Sequence, residues 1–135
     1  MTLVVDAGPL VAALVASDPN HGACSRLIEV ASRPLVVPVL AIAEVAHFAR
    51  RHHGAEAALV RALRSGELVP EPVEPADWDR IHELVEQYDD LGLGIVDASV
   101  VAVCERLGVT TLATLDHRHF SVVRPRHCDV LELVP

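Results

Sequence analysis

Short apolar runs alternate along the chain with longer segments that have helical periodicity. The runs predict buried strands at residues 2–5, 35–37, 68–69 and 111–115, with a further edge strand at 130–133. The intervening segments predict helices at residues 9–16, 20–32, 38–53, 55–64, 75–90 and 95–107. Strands that alternate with helices are typical of an α/β sandwich around a mostly parallel sheet, which is the fold class we expect.

Local signals refine the limits of these helices. Asn20 is a suitable N-cap, and Pro38 suits an early position in the third helix. Gly54 and Gly108 are suited to end the helices that precede them. The segment 95–107 is apolar almost all round, which predicts a buried helix.

Four acidic residues lie inside apolar runs or at their ends. Asp6 and Asp116 follow predicted strands, whereas Glu44 and Asp97 lie within predicted helices. A carboxylate in apolar surroundings is costly unless it is paired, hydrogen-bonded or bound to a metal. Parallel sheets bind ligands beyond the carboxyl ends of their strands. Provided that Glu44 faces inward, the four acids are expected to converge on one rim, as a pocket for divalent cations.

Each acid also has a purely structural interpretation. Asp6 and Asp116 are suited to cap the helix or turn that follows a strand. Asp97 suits the first turn of its helix, where the macrodipole favours negative charge. Glu44 has apolar neighbours in the sequence, and its alternative is a thin polar stripe that faces solvent beside His47.

The charge of the chain limits how it can bind nucleic acid. The formal net charge is −8, which argues against broad electrostatic binding of a polyanion. A cluster of carboxylates that holds one or two Mg²⁺ ions would screen this repulsion, polarise a phosphodiester and activate water for attack. Candidate phosphate contacts are two basic clusters, at residues 50–53 with Arg61 and Arg64, and at 117–119 with Arg124 and Arg126.

Composition bounds the class of protein. The 135 residues suit one domain, and 51% of them are apolar but only 3% aromatic. A mean hydropathy of +0.35 indicates either apolar surface reserved for a partner or a large core. The three cysteines are an odd number without CxxC spacing, so no disulfide framework is expected. Residues 10–16 lack the basic flank of a signal peptide, and no run is long enough to span a membrane, so we expect a cytoplasmic location.

Three segments around the acids resemble the motifs of PIN-domain proteins. These segments are VVDAGPLVA at residues 4–12, LGIVDASVVA at 93–102 and TLATLDHRHF at 111–120, and Glu44 stands where the family has its central acid. The order and spacing resemble those of the small VapC-type toxins over essentially the whole chain. One departure is that many members carry a hydroxyl residue soon after the first acid, where this chain has Ala7 and Gly8.

The resemblance implies a single PIN domain over residues 1–135, with a three-layer α/β/α sandwich. It implies the toxin of a type II toxin–antitoxin pair, a Mg²⁺- or Mn²⁺-dependent endoribonuclease that a VapB-like antitoxin inhibits. Hydrolysis of RNA would leave a 5′-phosphate and a 3′-hydroxyl. Asp6, Glu44, Asp97 and Asp116 would form the acidic quartet, with Asp6 and Asp97 as direct metal ligands. We also expect a homodimer.

Two hydroxyl residues near the quartet, Thr114 and Ser99, are candidates to orient water or a carboxylate, or else bond only to the backbone. Other classes fit the sequence less well. A phosphoacceptor receiver domain needs a lysine, and the chain has none. The histidines and Cys128 match no common zinc spacing. The remaining alternative is a catalytically inactive PIN fold that binds RNA or protein.

Overall fold

The fold is built on a parallel β-sheet. The computed structural model describes residues 2–135, which form strands β1 (Leu3–Val5), β2 (Leu35–Pro38), β3 (Leu68–Glu71), β4 (Thr111–Ala113) and β5 (Glu132–Val134). Their order in the sheet is β3-β2-β1-β4-β5, and each neighbouring pair is parallel. The strands β1, β2 and β4 are buried along their whole length, as expected for a sheet covered on both faces.

Helices cover both faces of the sheet. They are α1 (Ala7–Leu14), α2 (His21–Val30), α3 (Val39–Ala49), α4 (Ala55–Ser65), α5 (Pro75–Gln87), α6 (Ile95–Leu107) and the short α7 (His117–Phe120). Successive strand residues point to opposite faces. Val4 therefore belongs to the core under α5 and α6, whereas Leu3 and Val5 belong to the core under α1, α3 and α4. The three-layer α/β/α sandwich is thus confirmed.

Several helix limits differ from the prediction. Pro38 ends β2 and occupies the N-cap position of α3 instead of opening that helix. Helix α3 ends at Ala49, because the following residues turn away through bonds such as that from the Arg51 N–H to the Phe48 carbonyl (3.3 Å). Asn20 occupies the N-cap position of α2, but its side chain makes no capping hydrogen bond.

The elements α1, α7 and β5 also differ from the prediction. Helix α1 begins at Ala7, so Pro9 lies in its first turn, where a missing N–H costs nothing. Helix α7 was not predicted, because four residues are too short to show a helical period. The last strand is shifted towards the C-terminus and pairs Thr111 of β4 with Glu132.

The buried helix α6 was predicted correctly. It spans Ile95–Leu107, and its residues from Ala98 to Cys104 are buried. Large apolar side chains nevertheless remain exposed elsewhere, among them Val30, Val60 and Trp78. The high hydropathy therefore reflects both a large core and apolar surface. None of the helices in residues 2–135 is long and apolar enough to cross a membrane.

The sheet topology brings the first and last acidic motifs together. Strands β1 and β4 are parallel neighbours with Val5 opposite Ala113, so their carboxyl ends lie side by side. The Asp6 N–H extends this pairing by donating to the Ala113 carbonyl at 2.9 Å. Residues 110 positions apart in sequence, Asp6 and Asp116, are therefore held at the same edge of the sheet.

Candidate metal centre

Asp6 lies at the junction between β1 and α1. It is the N-cap of α1, and its Oδ1 accepts a hydrogen bond from the Ala7 N–H at 2.8 Å. Its Oδ2 accepts from the Thr114 hydroxyl at 2.9 Å, and only 7% of the residue is exposed. The capping interpretation is therefore correct for Asp6, and the same carboxylate also lines the cavity described below.

Thr114 connects two of the acidic segments. Its buried hydroxyl donates to Asp6 and accepts from the Asp116 N–H at 3.0 Å. It therefore orients a carboxylate and the loop that carries another. Ser99 is different, because its hydroxyl donates to the Val96 carbonyl at 2.6 Å, which is the backbone-bonded alternative.

Asp116 is held by a histidine one turn further along the chain. As the N-cap of α7, it accepts from the His119 N–H at 3.0 Å through Oδ1, and its Oδ2 lies 2.5 Å from His119 Nδ1. His119 Nε2 lies 3.1 Å from the Leu91 carbonyl. This contact was not predicted, although an i,i+3 spacing after an N-cap is compatible with it.

Asp97 and Glu44 complete the group from two helices. Asp97 lies half-buried in the first turn of α6, with Oδ2 3.8 Å from His119 Nδ1. Ligand atoms of Asp97, Asp116 and His119 lie within 4.8 Å of one another. Glu44 extends from the middle of α3 and is exposed, so it faces both solvent and the cavity.

The four predicted acids line one cavity of about 510 Å³. Its other lining residues are Ala7, Gly8, Val11, Asp18, Phe48 and Leu115. Asp18 and Phe48 were not predicted. Asp18 lies in a polar turn, where an acid gives no signal, and its Oδ1 accepts from the Asn20 N–H at 2.8 Å.

The glycine that departs from the family pattern has a packing role. A Cβ atom at Gly8 would lie 3.3 Å from Cβ of Leu115, closer than most real contacts. The first turn of α1 therefore packs tightly against the loop after β4, and a larger side chain would push that loop away. Glycine allows this close approach, whereas a residue with a hydroxyl side chain at position 8 would crowd Leu115.

Burial and crowding raise the pKa of three of the acids. Burial raises the pKa of Asp6 to about 6, and the charges of Asp97 and Asp116 add to this effect against the hydrogen bonds from Ala7 and Thr114. Burial raises the pKa of Asp97, as do the charges of Asp116 and Glu44. Partial burial and the charge of Asp6 raise the pKa of Glu44.

The pKa values of Asp116 and His119 shift in the directions expected for an ion pair. Burial acts to raise the pKa of Asp116, but the hydrogen bonds from the backbone and ring of His119 outweigh it, so this pKa is lowered. The hydrogen bond to Asp116 raises the pKa of His119. The contact therefore favours protonation of His119, which would place one positive charge beside the acidic group.

Two arginines from each basic cluster differ in whether their guanidinium groups make contacts within the fold. Arg126 pairs with Glu83 at 2.5 Å, and Arg124 donates to the Ser121 carbonyl at 2.9 Å. Arg50 and Arg51 follow α3 and line a separate cavity with His47. Among residues 2–135, no hydrogen bond or ion pair to another side chain occupies either of these two guanidinium groups.

Comparison with known proteins decides the family. A model of the PIN domain family matches residues 3–124. The chain belongs to the PIN-domain family. Ribonuclease VapC26 of Mycobacterium tuberculosis is 33% identical over 125 residues, which are 91% of this chain and 93% of that protein. The resemblance to VapC-type PIN-domain ribonucleases is therefore confirmed.

A solved structure shows the same fold. The crystal structure of VapC20 of Mycobacterium tuberculosis, described as a toxin that cleaves the sarcin–ricin loop, matches with a TM-score of 0.81. The match covers 99% of this chain and 100% of that chain at 21% identity. At this identity the likeness supports the PIN fold.

We expect the metal-free PIN domain to lose stability as the pH rises from about 4 to about 7. Asp6 has an ordinary pKa of 3.8 and a pKa of about 6 when folded. Between these values the folded state binds more protons than the unfolded state, so the free energy of unfolding falls with rising pH. Asp6 alone accounts for about 2–3 kcal/mol, and Asp97 and Glu44 act in the same direction.

This pH dependence is measured by urea unfolding in EDTA at pH 4.5 and pH 8. The Asp6→Asn variant should lose most of the difference, because it cannot ionise at this position. Wild-type protein whose stability is constant or increases across this range would contradict the cost of burying and crowding these carboxylates.

Thr114→Val should destabilise the PIN domain by about 2–3 kcal/mol. It keeps the shape of the side chain but leaves the Asp6 carboxylate and the Asp116 N–H without this partner. Thr114→Ser is the matched control, since it retains the hydroxyl. Loss of its one methyl group should lower the free energy of unfolding by about 1 kcal/mol. Urea unfolding at pH 8 compares the two variants, and equal stability would show that the hydroxyl bridge contributes nothing.

Proposed function

We propose that this PIN domain is the toxin of a type II toxin–antitoxin pair and a Mg²⁺- or Mn²⁺-dependent endoribonuclease that hydrolyses RNA phosphodiesters. The observation that carries the proposal is that four carboxylates line one cavity. Two relatives support it, since VapC26 is named a ribonuclease and VapC20 is described as an RNA-cleaving toxin. The catalytic unit would be the single PIN domain of residues 1–135, acting in the cytoplasm, where RNA is found.

The donor atoms in the cavity fit a hard divalent cation. Carboxylate oxygens are the ligands that Mg²⁺ and Mn²⁺ prefer. The raised pKa of Asp6, Asp97 and Glu44 reflects burial and repulsion that a cation would relieve. Asp6 and Asp97 would bind the ion directly, and Glu44 and Asp116 directly or through water. A bound cation would polarise the scissile phosphodiester and lower the pKa of an attacking water.

The chain's own residues prepare this chemistry by fixing the ligands. Thr114 and the Ala7 N–H hold the two oxygens of Asp6 in place, while His119 holds Asp116. Each oxygen of Asp6 accepts one hydrogen bond and keeps a lone pair for further coordination. Ligands that are already oriented lose little conformational freedom on binding, which favours tight and specific association.

The basic cluster at the end of α3 would bind the RNA backbone. Arg50 and Arg51 directly follow the helix that carries Glu44, and among residues 2–135 no other side chain pairs with their guanidinium groups. Positive groups beside the carboxylates would guide a polyanion to a domain with a net charge of −8.

Two protein partners complete the proposal. A VapB-like antitoxin would inhibit the toxin, and two copies of the chain would form a homodimer. Both partners would cover apolar side chains that the fold leaves exposed, such as Val30 and Val60.

Asp97→Asn should lower RNA cleavage by at least about 100-fold, because it removes a charged ligand from the proposed metal centre. Purified protein is incubated with total cellular RNA and Mg²⁺ or Mn²⁺, with EDTA as a second negative condition. Asp79→Asn is the matched control, since Asp79 is an exposed acid on α5 outside the cavity lining. Its cleavage should equal that of the wild type.

Two outcomes of this experiment would contradict the mechanism. Equal cleavage by Asp97→Asn and wild type would exclude the carboxylate site. Products with a 2′,3′-cyclic phosphate would show attack by the ribose hydroxyl instead of water. If RNA binds but no condition gives cleavage, the alternative of an inactive RNA-binding PIN fold is correct.

Replacing Arg50 and Arg51 together by Gln should weaken RNA binding and flatten its salt dependence. Each lost contact to a single strand reduces the slope of log K against log salt concentration by about 0.7. The matched control replaces Arg124 and Arg126 together by Gln. This change removes the same amount of charge, but from two side chains that already make contacts within the fold. Fluorescence anisotropy at several salt concentrations measures both slopes. An equal reduction in the two double variants would exclude a local clamp at the end of α3.

A further inference from the structure

Phe48 is an exposed aromatic residue in a chain that has few of them. The sequence contains two Phe, one Tyr and one Trp. Phe120 is fully buried, and the Tyr88 hydroxyl accepts from the Arg124 N–H at 2.9 Å. Phe48 is 43% exposed, so packing of the core does not account for it. Trp78 is also exposed, and single apolar side chains are common on protein surfaces, so a binding role for Phe48 depends on its position beside the acidic cavity.

The position of Phe48 relates it to the acidic cavity. It lies four residues after Glu44 on α3, so the two side chains occupy the same face of the helix, about 6 Å apart along its axis. Both residues line the cavity that Asp6, Asp97 and Asp116 also line. A molecule whose reacting group lies among the carboxylates therefore has its neighbouring part beside the Phe48 ring.

The surroundings of Phe48 combine apolar and basic groups. The His47 ring packs edge-on against it, with centroids 5.5 Å apart and planes at 73°. Val11 and Leu115 add apolar lining to the same cavity. Arg50 and Arg51 follow Phe48 by two and three residues and line a separate cavity with His47. Along the chain, the ring therefore lies between a carboxylate four residues before it and two arginines that follow it.

A nucleotide has the complementary arrangement. Its base has a flat apolar face, and its flanking phosphates carry negative charge that arginines and a metal centre attract. Aromatic side chains stack on unpaired bases of any identity, because every base has a π-face. We propose that Phe48 stacks on an unpaired nucleobase next to the scissile phosphodiester. This inference rests on the proposed ribonuclease function and assigns one residue to RNA positioning.

Charged neighbours favour RNA over a protein partner at this position. The Phe48 ring packs against His47 and shares its cavity with five carboxylate residues, whereas the cores of protein interfaces are depleted of charged residues. Stacking on a single base needs only one ring and nearby phosphate-binding groups.

The test compares variants of Phe48 in a cleavage-deficient Asp97→Asn background. Single-stranded RNA of about 12 nucleotides, carrying a terminal fluorophore and a sequence that the wild type cleaves, is titrated in Mg²⁺. Phe48→Ala should weaken binding about 10-fold, whereas Phe48→Trp should bind within about 2-fold of the parent because it keeps a π-face. Phe48→Leu distinguishes stacking from general apolar contact and should resemble Phe48→Ala. Circular dichroism confirms that each variant is folded.

A second measurement locates the base. Each nucleotide of the RNA is replaced in turn by an abasic one. At one position next to the cleavage site, the abasic substitution should weaken binding by the parent about 10-fold but cause no further loss with Phe48→Ala. At the other positions the two proteins should respond equally.

The outcomes separate this inference from the proposed function. If wild type cleaves RNA but Phe48→Ala binds as tightly as the parent, or no abasic position is coupled to Phe48, stacking is wrong and the nuclease stands. If Phe48→Ala changes only self-association in sedimentation, the ring belongs to a protein interface and the inference is also wrong. If wild type neither binds nor cleaves RNA, both proposals fail.

Discussion

The burial and mutual repulsion of four carboxylates in one cavity are the constraint to which the rest of this PIN domain responds. Asp6 is the most buried of them, and its pKa of about 6 shows how much the folded state disfavours its charge without a cation. A fold selected for stability alone would place an apolar or hydrogen-bonded neutral residue there. The hydrogen bonds from Thr114, Ala7 and His119 lower the cost without removing it. This remaining cost supports the proposal that the cavity holds a ligand that carries positive charge.

The parallel sheet explains how such a group can be assembled from distant parts of the chain. Parallel strands end at the same edge, so the residues after β1 and β4 become neighbours through backbone pairing. The first turn of α6 and the middle of α3 supply the other two acids. The tight packing of Gly8 against Leu115 and the bridge through Thr114 then fix the spacing. The same frame places Phe48 in the cavity of the acids, and the two arginines follow at the end of α3.

Much of this arrangement is predictable from the sequence, for identifiable reasons. The apolar runs and the nearly all-apolar segment at 95–107 indicate a buried parallel sheet and a buried helix, since burial leaves a strong compositional signal. Acids in apolar runs stand out for the same reason, because their cost must be offset. Helix ends at Pro38 and Ala49 were predicted less well, since they depend on tertiary turns. Three features depend on where side chains point in the folded chain, which no local sequence pattern predicts. They are the contact between His119 and Asp116, the position of Asp18 in the cavity lining and the exposure of Phe48.

The most direct test of the account is a crystal structure of the protein soaked with Mn²⁺, with data collected to show the anomalous scattering of manganese. The account predicts one or two anomalous peaks within the cavity, coordinated by oxygens of Asp6 and Asp97 and approached by Glu44 and Asp116. The Asp97→Asn variant, treated in the same way, should show a weakened or absent peak. Ordered carboxylates without a peak at saturating Mn²⁺, or manganese bound only elsewhere on the surface, would contradict the claim that these four residues form a metal centre.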